Sequence, residues 1–234
     1  MNPWEDPRVA TGLRRQIDMR GQILGDGAKS VGWKVGFGAP PSLELMQITA
    51  PLLGFLTDAT VYGSGDSVDS DGYQRGVVEF EVAVYLAHDL GPGASDDEAR
   101  AAIGAVGSSI EVANINLPIG PEEVEGIVAG NIFHAAVVFG LPDLGRAGLD
   151  ISGIHARILA DGVPVGETDE LEAITGRYPM VVRTVADTLA ANGLQLTAGD
   201  VIIAGSVIPP ITIVAGTEYT FALDPFDPIS VRIV

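Results

Sequence analysis

The stretch Val77 to Leu86, V-V-E-F-E-V-A-V-Y-L, decides how this chain is read. Successive side chains of a strand point to opposite faces, so Val78, Phe80, Val82, Val84 and Leu86 make one apolar face while Glu79 and Glu81 share the other. Residues two apart on a strand stand roughly 6 to 7 Å from each other, so the two carboxylates either converge on one cation or repel each other without one. A plainer reading is an edge or half-buried strand whose polar face is wet. The Glu-x-Glu pattern alone leaves both open.

Two other segments bear on the choice. From Ser109 to Ile115 the chain alternates again, with Ile110 and Val112 opposed to Glu111, so a third glutamate occupies the polar face of a strand. Earlier, V-G-W-K-V-G-F puts Val31, Trp33, Val35 and Phe37 on one face and Gly32, Lys34 and Gly36 on the other. The flanking glycines let a ligand or another backbone come close, so Lys34 either reaches into a pocket or is a solvated strand lysine. Three glutamates on the polar faces of two strands suit an octahedral Mg²⁺ or Mn²⁺ that keeps water or substrate oxygens in its remaining positions. Buried together without such an ion, at least one of them should be protonated, with a raised pKa.

The rest of the chain supplies the frame. An amphipathic first helix runs from Pro7 to about Leu24, with Val9, Leu13 and Ile17 inward, and ends at Gly25 and Gly27. A second apolar run spans Pro51 to Tyr62, and a polar loop from Gly63 to Gly72 is so placed that it can cover a site. Ser95-Asp96-Asp97-Glu98 is a capping box, predicting a helix to about Val106. Pro121-Glu122-Glu123 opens another helix, and Asn131 to His134 leads into the strand A-A-V-V-F-G. A hairpin turns at Asp161-Gly162, a helix spans Pro179 to Ala191, and strands follow near Val201 to Ala204, Ile211 to Val214, Thr217 to Leu223 and Ile229 to Val234. Many short strands with few helices predict an α+β fold, a mixed β-sheet roll or sandwich with peripheral helices. Residues 1–234 read as a single catalytic domain, with 1–30 a peripheral N-terminal helical segment.

Composition narrows the chemistry. The absence of cysteine among 234 residues excludes thiolate nucleophiles, disulfides and Cys-based zinc sites, which leaves Asp, Glu and the three histidines as possible ligands, so any metal site is expected to be hard and oxygen-rich. A net charge of −18, from 13 basic against 31 acidic residues, argues against nucleic acid or an anionic membrane surface as partner. An anionic small substrate would then need local positive charge from a metal, a lysine or backbone amides. No run reaches the ~18 apolar residues of a membrane span, and M-N-P-W-E-D-P lacks the marks of a signal peptide, so a cytoplasmic protein is expected.

On these residues the chain resembles the fumarylacetoacetate hydrolase superfamily, in its branch of 2-oxopent-4-enoate hydratases and 4-oxalocrotonate decarboxylases. Gly32 to Phe37 is similar to the branch's lysine segment, Val78 to Leu86 to its Glu-x-Glu strand and Ser109 to Ala113 to the strand bearing its third metal glutamate. Gly199 to Ser206, G-D-V-I-I-A-G-S, is similar to a segment near the family's end. The resemblance implies Mg²⁺ or Mn²⁺ held by Glu79, Glu81 and Glu111 and chelated by the carboxylate and 2-oxo oxygens of a small anionic 2-oxo acid. Lys34 would lie near the same site, and an enolate would be stabilised there. The reaction implied is hydration of a 2-hydroxydienoic acid, then 4-oxalocrotonate-type decarboxylation. Hydrolytic C–C cleavage of a diketo acid comes third, because it wants a base such as histidine and no histidine precedes His88. A non-catalytic homologue within a complex is the reading from a different class. Homo-oligomers, and association with a paralogous chain, belong to the same expectation.

The chain also departs from that pattern. Gly38 and Ala39 stand where the family has hydroxyl residues, and Thr57-Asp58 stands where an Asp-Asp pair is usual, making Asp58 a candidate for proton transfer. Gly130-Asn131-Ile132-Phe133 puts Phe133 in place of a serine, with Asn131 and Ser206 as further candidate substrate contacts. His134, next in line, is either a catalytic or carboxylate-contacting group or a structural histidine. Arg177, in Gly176-Arg177-Tyr178-Pro179, either binds a second carboxylate or is a surface residue. These losses of polar contact point to a bulkier or more apolar substrate than the simple pentadienoate.

Overall fold

A computed structural model describes residues 2–234. In chain order the strands are β1 (Ser30–Gly36), β2 (Leu52–Thr57), β3 (Val61–Tyr62), β4 (Ser67–Val68), β5 (Gly76–Leu86), β6 (Ile103–Asn114), β7 (His134–Phe139), β8 (His155–Ala160), β9 (Val163–Thr168), β10 (Val201–Ser206), β11 (Ile211–Thr212), β12 (Glu218–Asp224) and β13 (Ile229–Ile233). The helices are α1 (Pro7–Gly25), α2 (Pro40–Met46), α3 (Asp96–Ala102), α4 (Val124–Ala129) and α5 (Tyr178–Ala191).

Eight strands form one mixed sheet in the order β2-β1-β10-β5-β6-β7-β3, with β11 also paired to β5. The other five form a second sheet in the order β4-β13-β12-β8-β9. The α+β expectation therefore holds. β5 lies in the middle of the larger sheet, and both of its faces are covered. Phe80, on the face opposite the glutamates, packs against Phe221 of β12 with ring centroids 5.5 Å apart, joining the two sheets. The wet-face reading of β5 fails, because β5 is a central strand and Glu81, on the face opposite Phe80, is fully buried.

Local signals explain most element ends. Ser95 caps α3 through the reciprocal box with Glu98, and Asp6 accepts the backbone N–H of Arg8 at the start of α1. Asp161 and Gly162, both with positive φ, make the tight turn between β8 and β9. α1 is tied into the core by Gln16, whose buried amide donates to the carbonyls of Leu53 and Val128.

Two expectations are corrected. α3 ends at Ala102 instead of continuing to Val106, because Ile103, Ala105 and Val106 pair with Leu86, Tyr85 and Val84 of β5, and those ladder bonds outweigh helix propensity. The loop from Gly63 to Gly72 covers no site. Its backbone bonds to Ser230 and Val234 along the smaller sheet, where β4 pairs with β13.

Candidate metal centre

β5 and β6 pair antiparallel with Glu79 directly opposite Glu111 and Glu81 opposite Ser109. Residues paired across neighbouring strands share a face, so two glutamates from one strand and one from the next meet in a single patch. One carboxylate oxygen from each lies within 4.8 Å of the others. Glu81 and Glu111 are fully buried and Glu79 is half-buried.

The protein anchors one oxygen of each buried carboxylate and leaves the other bare. Glu111 Oε1 accepts from Lys34 Nζ and also from His134 Nδ1 at 2.7 Å, while its Oε2 has no partner. Glu81 Oε2 accepts the backbone N–H of Gly205, and its Oε1 has no partner. A buried carboxylate oxygen left in that state is costly, on the order of several kcal/mol. Fully ionised, the three carboxylates would face only the ammonium of Lys34 and leave two negative charges to be compensated. That is the charge of one divalent cation. Hard oxygen donors, bare buried oxygens and this charge balance together fit a divalent cation that prefers oxygen ligands.

The acid–base properties of the three differ. Burial first, and then the Glu111 charge, push Glu79 up to about 7 against the pull of Lys34. Burial and the charges of Glu111 and Glu79 push Glu81 well above the usual carboxylate range. Burial would raise Glu111 too, but Lys34 and the His134 contact outweigh it and hold that carboxyl below its ordinary value.

Each supporting group is positioned by neighbouring backbone. Lys34 is 2% exposed and pairs across the strands with Gly54, where an added Cβ would lie 2.7 Å from Lys34 Cγ, so only glycine leaves room for the lysine stem. Lys34 Nζ also donates to the carbonyl of Ile132 at 3.1 Å. That carbonyl is presented by three consecutive residues with positive φ, Asn131 at 59°, Ile132 at 50° and Phe133 at 63°. For a β-branched residue such as Ile132 the conformation is strained. Asn131 holds it in place, its side chain accepting from Phe55 N at 2.7 Å and donating to Phe55 O at 2.9 Å. On the other side the β10 register slips between Ile203 and Ser206 where it pairs with β5. Gly205, with φ +91°, thereby turns its N–H toward Glu81.

Beside this centre is a cavity of about 260 Å³ whose wall includes Lys34 and Glu79 as its only charged residues. The rest is predominantly apolar, with Phe133 meeting Phe37 edge-on at 6.3 Å and Leu45, Ile115, Ile119 and Ile208 alongside. Gly38 and Ala39 belong to the same wall.

Of the residues predicted from sequence, the fold brings together Lys34, Glu79, Glu81, Glu111, His134, Phe133 and Ser206, while His134, Ser206 and the neighbouring Asn131 take roles other than those expected. His134 lies behind Glu111 and is absent from the cavity wall; both ring nitrogens are engaged, Nδ1 with Glu111 and Nε2 with the Thr60 hydroxyl at 2.9 Å, so it positions the carboxylate. Asn131 reaches the β2 backbone and not the cavity, because its side chain is consumed by Phe55. Ser206 lines the cavity, but its hydroxyl is bonded to the backbone of Phe80. Two residues fall outside. Asp58 is exposed and accepts the backbone N–H of Lys29, since the short turn Asp58–Thr60 sends Thr60 inward in its stead. Arg177 is 60% exposed and pairs with Asp96 at the start of α3. Sequence reasoning missed Thr60, Gly205, Gly54 and the Ile132 carbonyl. None of them carries a local signal, because each matters only through a partner distant in sequence.

Three comparisons with known proteins bear on this arrangement. The 2-hydroxyhexa-2,4-dienoate hydratase of Comamonas testosteroni is 27% identical over 209 residues, spanning 88% of this chain and 79% of that one. The 4-oxalocrotonate decarboxylase of Pseudomonas putida G7, solved with magnesium and adipate, superposes with a TM-score of 0.86 at 24% identity, covering 97% of this chain and 86% of that one. Fumarylpyruvate hydrolase of Pseudomonas aeruginosa, solved with Mn²⁺ and pyruvate, gives a TM-score of 0.67 at 13% identity over 88% of this chain and 89% of that one. No protein-family profile matches the chain. The resemblance read from the sequence is borne out in that the curated relatives are hydratases and a decarboxylase, and the fold is shared with the solved 4-oxalocrotonate decarboxylase and fumarylpyruvate hydrolase.

Proposed function

We propose that this chain is a divalent-metal-dependent lyase acting on a small 2-oxo or 2-hydroxydienoic acid, with hydration as its reaction. The observation that carries the reading is the pair of bare, buried oxygens on Glu81 and Glu111 beside Glu79, next to a cavity walled by Lys34 and apolar side chains. Glu79, Glu81 and Glu111 would hold the metal, which when bound supplies positive charge to the acid end of the substrate and to the negative charge that develops there.

The chain's own groups do the rest. Lys34 spends two of its three donors on Glu111 and the Ile132 carbonyl, which leaves one for a ligand in the cavity it lines. His134 fixes Glu111 Oε1 and, with both ring nitrogens bonded, is a positioning residue. The apolar wall excludes bulk water and, having no cation besides Lys34, provides no partner for a second carboxylate. A monocarboxylic acid with an apolar tail longer than the simple pentadienoate therefore suits the cavity best. Self-association, a paralogous partner and a cytoplasmic location are part of the same proposal, consistent with the absence, among described residues, of any helix long and apolar enough to cross a membrane.

The test is calorimetric titration of Mg²⁺ and Mn²⁺ with and without pyruvate or oxalate, followed by assays of dienoate hydration against CO₂ release. We expect metal-dependent binding of the mimic, hydration of 2-hydroxyhexa-2,4-dienoate and weaker turnover of 2-hydroxypenta-2,4-dienoate. Absence of metal binding would refute the site. CO₂ release from 4-oxalocrotonate without hydration would replace hydratase by decarboxylase, and metal binding without mimic binding would favour a non-catalytic homologue.

A further inference from the structure

Thr175 is 9% exposed, belongs to the cavity wall, and its hydroxyl has no hydrogen-bond partner in the protein. A buried hydroxyl carries one donor and two acceptor positions, and leaving all of them unused costs about 1 to 3 kcal/mol. The other wall hydroxyls are differently placed. That of Ser206 is spent on Phe80, and Ser42 is half-exposed on α2.

The location of Thr175 is also specific. Its Cγ2 is 2.4 Å and its Cβ 3.1 Å from where a Cβ on Gly205 would stand, so a side chain at 205 would displace it. Gly205 is the residue whose N–H anchors Glu81. Thr175 is thus packed onto the backbone that holds a metal-ligand candidate.

We propose that Thr175 is a specificity-determining substrate contact, its hydroxyl donating to an oxygen at the acid end of the bound 2-oxo acid. This rests on the 2-oxo-acid reading above. The hydroxyl would complement Lys34, which offers the same oxygens a charged donor, and an acid-end contact would leave the apolar wall to the tail.

The experiment is calorimetric titration of pyruvate into the full chain at saturating Mg²⁺, for wild type, Thr175→Val and Thr175→Ser, with Mg²⁺ alone titrated into each. Valine keeps the shape against Gly205 and removes the hydroxyl; serine keeps the hydroxyl. Expected is about tenfold weaker pyruvate binding by Thr175→Val, the loss of one hydrogen bond to a charged acceptor, with Thr175→Ser within about twofold of wild type and Mg²⁺ affinity equal in all three. Pyruvate affinity unchanged in Thr175→Val overturns the assignment. So does weakened pyruvate binding that only tracks weakened Mg²⁺ binding, which would mark a structural role through Gly205. Wild type that binds Mg²⁺ but no pyruvate overturns the 2-oxo-acid reading itself, and the assignment with it.

Discussion

The strand pairs β5–β6 and β8–β9 are both antiparallel and both carry charged residues among apolar ones, yet the two meet opposite fates. β5 and β6 are largely buried on both faces, and Glu81, Glu111 and the facing Lys34 have no solvent to share their charge. β9 leaves Val163 and Val165 exposed at the edge of the smaller sheet, and Arg157 of β8 pairs with Asp224 at 2.9 Å while their side chains stay 55% and 47% exposed. The difference lies in neighbours. A strand with a second sheet on one face and strands on both edges turns each polar residue into an interaction that must be satisfied from within. At an edge, water satisfies it. The candidate site lies where the protein must supply the partners, because there a bare oxygen has reason to take a cation or a ligand.

The contrast is sharpest for Lys34. Replacing it with methionine should destabilise the metal-free protein by roughly 3 to 5 kcal/mol, because Glu111 loses its buried countercharge. Urea unfolding with and without Mg²⁺ measures this, and added Mg²⁺ should restore part of the loss. A change below about 1 kcal/mol would mean that the pair behaves like its surface counterpart.

Asn131→Ala comes next. It strips Phe55 of both side-chain hydrogen bonds and releases the strained run that presents the Ile132 carbonyl to Lys34, so a loss of about 2 kcal/mol is expected from chemical denaturation. Pyruvate binding should weaken as well, since Lys34 and Phe133 are both held by that run.

A smaller effect follows from protonation. Glu79, held near 7 mainly by burial, keeps a proton in the folded metal-free protein that the unfolded chain releases near its ordinary value of 4.5. Between those values the folded state binds more protons, so its stability falls as pH rises, by at most about 1.4 kcal/mol per pH unit. Glu111, shifted downward, contributes with the opposite sign at lower pH, where its stabilising interactions are lost as the carboxylate is protonated. Mg²⁺ competes with the Glu79 proton, so the rise in melting temperature on adding Mg²⁺ should grow from about pH 6 to pH 8. Thermal melts at the two pH values check it, and a rise independent of pH would count against Glu79 as a ligand.

The smallest change should come from Arg157→Ala, below about 1 kcal/mol, because water replaces the partner on both sides. A loss as large as that at Lys34 would erase the distinction between the two strand pairs.

How far the sequence reached follows the same line. Alternation in V-V-E-F-E-V-A-V-Y-L was enough to put Glu79 and Glu81 on one face, and the glycines around Lys34 pointed to a close approach, which at Gly32 is made by the backbone of Val201 on β10. Asp58 and Thr60 show the opposite case. They are two residues apart in one short turn, and only the packing of that turn against β7 decides that Thr60 meets His134 while Asp58 faces solvent. The end of α3 at Ala102 was partly legible, since Gly104 and the β-branched Ile103 and Val106 are weak helix formers, and their pairing with β5 turns the chain into strand.

By itself the sequence determined the α+β class, the pairing of two glutamates on one strand face, and a hard-ligand, cysteine-free chemistry, because each depends on local periodicity or on composition. Tertiary structure alone decided that Glu111 lies opposite Glu79, that Gly205 and His134 each anchor one carboxylate oxygen and leave another bare, and that Thr175 joins the cavity wall with an unused hydroxyl. Those facts depend on strand register and on contacts between residues far apart in the chain, and burial then converts the geometry into charge that a cation and an acid can balance.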